Sequence, residues 1–354
     1  MHLFSMLSTK QLTFLRSELE TAQNPMYLFD NDADGLCAYL VLYRFCKEGR
    51  GVIFKSARKD VDVDFLHKVE ELNPDKIFVL DIADINQEFI DRAKRPIFWI
   101  DHHPLQERSG VHYFNPLAID PTSYIPTTQL AYMVTQRKED LWIATVGALA
   151  DYAIPDFLDE FIALYPQYLP KRGDIATMLF HERVGELVKF FSFMLKGQTN
   201  DVRRSVKILT RINSPDEIFN ETSPAGKFLH KRYEKINQMY LSLLESAKKQ
   251  VSSSPLLVFY YSETQWSFTS NLATELAGLY PKKVVIIARR RGGELKCSIR
   301  AQFPIIEMLQ RSFIGLNARG GGHPNACGAV VSDEDWNVFL ETFKRELKEE
   351  RATR

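Results

Sequence analysis

KIFVLDIADINQEFIDRAKRPIFWIDHHP, residues 76–104, reads as strand, helix, strand. KIFVL (76–80) and PIFWI (96–100) are continuous runs of β-branched, aromatic and aliphatic residues, of the length of a buried strand. INQEFIDRA between them has helical spacing. A unit of this kind closes right-handed and lays its two strands parallel. Each apolar run stops on an acid, Asp81 in one case and Asp101 in the other.

Outward from this unit the pattern repeats. MYLF (26–29) is a third buried run and ends in DNDADG (30–35), after which LCAYLVLYRFCKE reads as a helix. VIFKSA (52–57) reads as a strand and DFLHKVEEL (64–72) as a helix. The fold class expected is therefore α/β, with an N-terminal parallel sheet. In such a sheet the carboxyl ends of the strands line the ligand crevice. Three strands then deliver Asp30, Asp81 and Asp101 to one rim, and that convergence outweighs any single motif.

From TTQLAYMV (127–134) the pattern turns helical, continues through LWIATVGALADYAI (141–154) and stays helical to about residue 250. SSSP (252–255) reads as a linker. Beyond it LLVFYY and KVVIIARR read as strands around the helix SNLATELAGLY. RGGE turns into LKCSIRA as a hairpin, and glycine-rich GLNARGGGHPNACGAVV leads to a final strand. The last segment is an amphipathic helix with Ser332 as its expected N-cap. The expected domains are residues 1–190, a helical connector 191–252, and a smaller α/β domain 253–354.

A chain of 354 residues can bury two separate cores. Lys+Arg and Asp+Glu both number 45, and the zero net charge argues against coating long duplex DNA through a broadly basic surface. Cys37, Cys46, Cys297 and Cys327 show no C-x-x-C spacing, so neither a zinc site nor a disulfide framework is expected. The first segment reads as an amphipathic helix, and no stretch approaches the length of a membrane span. A cytoplasmic location is the expectation.

Alternation along an extended strand end can put Asp30, Asp32 and Asp34 on a shared face. Crowded carboxylates repel unless cations neutralise them, and hard oxygen ligands with an added imidazole suit Mn or Mg. Alone, DNDADG is more readily a helix-capping loop. Asp101-His102-His103-Pro104 changes the balance, because one imidazole can ligate a metal while the other acts on substrate. Asp151 is a lone acid in the apolar run VGALADYAIP, costly to bury unless paired. Together these acids and histidines at one rim predict a metal site.

These residues resemble the DHH phosphoesterase superfamily. Its four acidic motifs are similar to DNDADG (30–35), Asp81 in VLDIAD, DHHP (101–104) and Asp151 in GALADYAIP. Its associated C-terminal domain is similar in Gly320-Gly321-Gly322-His323, with Ala326 and Gly328, and in the strand Ser298-Ile299-Arg300-Ala301. The resemblance implies a two-domain enzyme with its active site in the cleft between the domains. It implies two divalent cations, manganese or magnesium, held by Asp30, Asp32, Asp34, Asp81, His102 and Asp151, with two of the first three as direct ligands. It assigns catalytic roles to His103, Asp101 and Asp34, and substrate binding to Arg300, Gly320, Gly321, Gly322 and His323.

Small-nucleotide hydrolases of this superfamily carry a histidine four residues before the first aspartate, where this chain has Met26. The third acid, Asp34, makes a D-x-D-x-D-G pattern that resembles RecJ-type exonucleases and their archaeal relatives. The implied function is an exonuclease releasing mononucleotides from single-stranded DNA or RNA by two-metal hydrolysis. A nanoRNase or small-nucleotide phosphatase acting on short oligonucleotides is the alternative, and a non-catalytic component of a replication complex the lesser one. A replication or repair protein is an expected partner. Arg289-Arg290-Arg291 with Lys296 and Arg300 are candidates for a phosphate-tracking groove, and Tyr260, Tyr261 and Trp266 for stacking surfaces.

Overall fold

Apolar runs that end in polar breaks become the strands of the N-terminal unit. They are β1 (Met26–Asp30), β2 (Arg50–Phe54), β3 (Asp60–Val61), β4 (Ile77–Leu80), β5 (Asp84–Ile85), β6 (Ile97–Ile100) and β7 (His112–Phe114). The structure, a computed structural model, describes residues 7–55, 60–262, 264 and 266–353. Of the expected strand at 52–57, residues 56 and 57 lie outside the described residues, as do the first six residues of the expected N-terminal helix. Chain contacts divide the protein into two units, Met1–Lys231 and Arg232–Arg354, with the division inside the long helix Pro224–Lys248.

The main sheet of the first unit has the order β2-β1-β4-β6-β7, and each neighbouring pair is parallel. On one face Leu28, Val79 and Trp99 pack with Phe89 and Ile90. On the other, Tyr27, Phe78, Phe98 and His112 occupy matching register positions on four strands. Their rings stack in sequence, with centroids 5.3, 5.1 and 5.0 Å apart. Such cross-strand aromatic pairs hold register as well as burying area.

The helix Ala33–Cys46 follows β1 almost without a loop. Asp32 is its N-cap, and the Asp32 side chain accepts from the Gly35 N–H at 2.9 Å. A Cβ at Gly35 would lie 2.8 Å from both N and O of Asp30, so only glycine lets this first turn sit against the strand end. The helices Thr127–Thr135 and Leu141–Ala150 pack on this helix. The expected helical run continues in shorter pieces through Val184–Met194 and Thr199–Leu209 to the long helix.

The C-terminal unit holds β8 (Leu256–Ser262), β9 (Val284–Arg291), β10 (Glu294–Arg300), β11 (Ala318–His323) and β12 (Ala326–Ser332), in the order β11-β12-β10-β9-β8. β8 and β9 are parallel and the other pairs antiparallel. The expected hairpin is present: Gly292 and Gly293, with φ of 59° and 79°, form its two-residue turn. One face of the sheet packs with Met308, Leu309, Phe339 and Phe343 of the helices Ile306–Arg311 and Trp336–Thr353. The helix Thr269–Leu279 lies against β9 and β10.

Two local expectations change here. The triple glycine is part of the edge strand β11 rather than a loop before a strand, because a Cβ at Gly320 would meet the Gly328 carbonyl oxygen at 2.3 Å. The last helix starts at Trp336, and Ser332 instead accepts the Asp335 N–H at 3.1 Å in the turn before it.

Candidate metal centre

Every strand that ends in an acid ends at the same side of the parallel sheet, and there the side chains meet. Asp30 closes β1, Asp81 follows β4 and Asp101 follows β6. Asp81 has φ +60°, an uncommon conformation for a non-glycine residue that aspartate tolerates better than most. Its backbone N–H still donates to the Ile100 carbonyl at 3.0 Å. Asp151 arrives from the end of the helix Leu141–Ala150, whose C-cap it is.

Three overlapping groups bring possible ligand atoms within 4.8 Å of one another: Asp30, Asp32 and Asp81; Asp34, His102 and Asp151; and Asp81, His102 and His103. His102 Nε2 lies 3.3 Å from Asp81 Oδ1 and 3.5 Å from Asp151 Oδ2. Carboxylate oxygens with imidazole nitrogens are a donor set that suits Mn or Mg.

The electrostatics favour a cation. Burial, and then the charge of Asp32, push the Asp30 carboxyl up to about 7. Burial and Asp32 likewise push Asp151 up to about 7. Asp34 and Asp81 are raised well above the usual carboxylate range, by burial first and by neighbouring aspartates second. Protein groups alone leave this much negative charge uncompensated, and a bound cation would reverse each shift.

Around the candidate ligands runs a set of fixed partners. Asp101 is fully buried and accepts from His103 Nδ1 at 2.7 Å, from the His103 backbone N–H at 3.0 Å and from the Tyr113 hydroxyl at 3.4 Å. Burial acts to lower the His103 pKa, but the hydrogen bond and charge of Asp101 outweigh it and raise it. Asn115 donates to the His103 carbonyl at 2.8 Å and to the Tyr113 hydroxyl at 2.9 Å.

Asp34 is held differently from Asp30 and Asp32. Its Oδ2 and Oδ1 accept the backbone N–H groups of Thr127 and Thr128 at 2.8 and 2.9 Å, at the start of the helix Thr127–Thr135. Thr128 also donates to the Asp34 carbonyl at 2.7 Å, and Thr127 Oγ1 donates to Asp81 Oδ1 at 3.2 Å. Two buried threonines therefore tie the first acidic motif to the second. Sequence reasoning did not find Thr127, Thr128, Asn115 or Tyr124. The one signal was a Pro-Thr-Thr helix start at 126–128, two residues after Tyr124.

In the C-terminal unit, Arg300 donates to Ser270 Oγ at 3.0 Å, Thr274 Oγ1 at 3.2 Å and the carbonyls of Ile299 and Cys327 at 3.0 and 3.3 Å. Gly320, Gly321, Gly322 and His323 are on β11, one strand away across β12, where Ala326 pairs with both Arg300 and His323. The expected stacking surface is reduced to Tyr260. Tyr261 and Trp266 are buried, and the Tyr261 hydroxyl accepts the Phe268 N–H at 2.9 Å. The basic run splits too: Arg290 pairs with Asp333 at 3.0 Å and Arg289 donates to the Thr264 carbonyl at 2.7 Å.

Residues 27–154 match the DHH family, N-terminal domain, and residues 253–349 match the DHHA1 domain. RecJ in complex with Mn2+ from Thermus thermophilus is similar with a TM-score of 0.68 at 17% identity, over 97% of this chain and 55% of that one. This chain thus spans little more than half of that protein's length. A second structure, exonuclease RecJ bound to manganese, gives a TM-score of 0.63 at 16% identity, over 96% and 95% of the two chains. CDC45 from Entamoeba histolytica gives 0.50 at 9% identity, over 97% and 100%. No curated protein matches the chain. At these identities the likeness to solved structures is one of fold.

Proposed function

We propose that this chain, which belongs to the DHH family through both of its domains, is a metal-dependent phosphodiesterase acting as an exonuclease on single-stranded DNA or RNA. One observation carries the reading: carboxylates from separate strands and a helix converge with two histidines, and their pKa values are raised as cation ligands' would be in the absence of a cation.

Asp30, Asp32, Asp81, His102 and Asp151 would hold two divalent cations, manganese in preference to magnesium. When bound, such ions supply Lewis-acid charge stabilisation and a hydrolytic nucleophile at neutral pH. Asp34, with both oxygens on backbone N–H groups, keeps the rim in shape and tunes the site. His103 keeps Nδ1 on Asp101, so Nε2 is the atom that meets the scissile phosphate or passes a proton to the leaving oxygen. Arg300, Gly320, Gly321, Gly322 and His323 bind the terminal nucleotide, the glycines through close backbone approach. A cytoplasmic protein working beside replication or repair factors fits this substrate; among the described residues no helix is long and apolar enough to cross a membrane.

The test is hydrolysis of end-labelled DNA and RNA with Mn present. Each is supplied as a dinucleotide and as a strand of about 20 nucleotides, longer than a typical single-strand binding site. Stepwise release of mononucleotides from the strands is expected, and Asp81→Ala should abolish it. Products confined to dinucleotide cleavage would replace the exonuclease with the short-oligonucleotide hydrolase.

A further inference from the structure

The face of the C-terminal sheet opposite the core cluster of Met308 and Phe339 carries a pattern that the metal centre does not use. Leu295, Cys297 and Ile299 of β10 belong to that core. The alternate residues Lys296, Ser298 and Arg300 therefore lie on the other face. The strand register sets three rows across β10, β12 and β11: Arg300, Ala326 and His323; Ser298, Gly328 and Gly321; Lys296, Val330 and Arg319.

The middle row has one side chain, that of Ser298, buried on the face where the helix Thr269–Leu279 meets Arg300; Gly328 and Gly321 leave the rest of the row bare. A Cβ at Gly321 would meet nothing within 4 Å, and one at Gly328 would meet only the Cys297 carbonyl oxygen at 3.8 Å. Internal packing thus requires glycine at neither position, unlike Gly320. The result is a shallow strip with cations at both ends. Lys296 and Arg319 are exposed; Arg319 pairs with Glu294 at 3.2 Å, and Arg289 is the neighbour of Lys296 in register on β9. Cations on a hairpin are normally just solvated, but here the bare backbone of Gly328 and Gly321 joins them to the row of Arg300 and His323.

Spacing gives the strip a meaning. Arg300 and Lys296 are four residues apart on one strand, about 13 Å at ~3.3 Å per residue, and so are His323 and Arg319. That is more than one phosphodiester step along an extended strand held in a backbone-tracking groove. We propose that Lys296 and Arg319 form a second phosphate subsite that engages single strands several nucleotides long and makes no contact with dinucleotides. The placement of the substrate end at Arg300 and His323 rests on the proposed function.

The experiment compares the full chain with a Lys296→Gln/Arg319→Gln double variant, and with Arg290→Gln as a control. Binding of a labelled strand of about 12 nucleotides, within the usual range of single-strand sites, is measured in EDTA. Hydrolysis of the same strand and of a dinucleotide is measured with Mn. The double variant should weaken strand binding and raise strand KM about ten-fold, with dinucleotide KM and all kcat values unchanged. Its log–log salt dependence should lose a slope of roughly 1.4, at about 0.7 per phosphate contact in a single strand. Equal effects on both substrates, no effect on either, or the same effect from Arg290→Gln would overturn the subsite. A chain that binds strands in this pattern yet hydrolyses nothing would overturn the phosphodiesterase reading and leave the subsite standing.

Discussion

The Tyr124 hydroxyl donates to Asp151 Oδ2 at 2.7 Å and lies 3.0 Å from the Asp151 carbonyl, while the same Oδ2 is 3.5 Å from His102 Nε2. Tyr124 is 57% exposed, and its ring meets the His102 ring edge-on at 5.4 Å. An exposed tyrosine thus orients a candidate ligand without belonging to the core. Tyr124→Phe should keep the ring contact and lose the hydrogen bond. Metal affinity should fall about 10- to 100-fold, the usual effect of removing an outer partner, while the metal-free Tm hardly moves. Titrating activity and heat of binding with Mn checks this; unchanged affinity would remove Tyr124 from the site.

Among the described residues Asp101 belongs to none of the candidate metal groups, but it grips His103 from two sides. Asp101→Asn can point its amide N–H at Nδ1 and so favour the opposite imidazole tautomer. We expect kcat to fall by about two to three orders of magnitude, as when a positioned acid–base group is lost, with Mn affinity within a few-fold of normal. A parallel loss of metal affinity would mean that Asp101 acts through the ions rather than through His103.

The raised carboxyls give the metal-free protein a distinctive pH dependence. On folding, Asp30 and Asp151 rise from the ordinary aspartate value of 3.8 to about 7. Between those values the folded state binds more protons than the unfolded state, so these two groups make stability fall as pH rises from about 4 to 7 and add no further slope above. Mn displaces those protons, so it should abolish the slope and raise Tm most at pH values of about 7 and above. Melting curves across that range, with Mn and with EDTA, test the sign. A metal-free Tm that climbs with pH there would contradict it.

Legibility in the sequence followed how local each cause is. β4 and β6 are readable because continuous apolar runs bury both faces, and the acids after them stand out against those runs. β3, β5 and β7 are two or three residues long and have no period to read. Thr127 and Thr128 act on Asp34 from more than 90 positions away, and no local pattern encodes such a contact. The triple glycine was readable as a motif but not as a strand, since its pairing depends on Gly328 and Ala329 across the sheet. Tyr261 and Trp266, candidates for a stacking surface but more readily core residues, are buried, while Tyr260, the neighbouring position on β8, is exposed.

Gly35 joins backbone placement to metal binding. A methyl group there would lie 2.8 Å from Asp30 N and O, inside contact distance, and neither backbone atom can swing away as a side chain could. Gly35→Ala must therefore part the helix Ala33–Cys46 from β1, which costs about 1–3 kcal/mol by overpacking. That movement separates Asp30 on the strand from Asp32 at the helix cap, two members of one candidate metal group. Tm should drop, and Mn affinity should drop with it. Gly173→Ala, where the nearest atoms would be ordinary contacts at 3.7–3.8 Å, should do neither. If Gly35→Ala lowers Tm while Mn affinity stays normal, Asp30 and Asp32 do not share a cation.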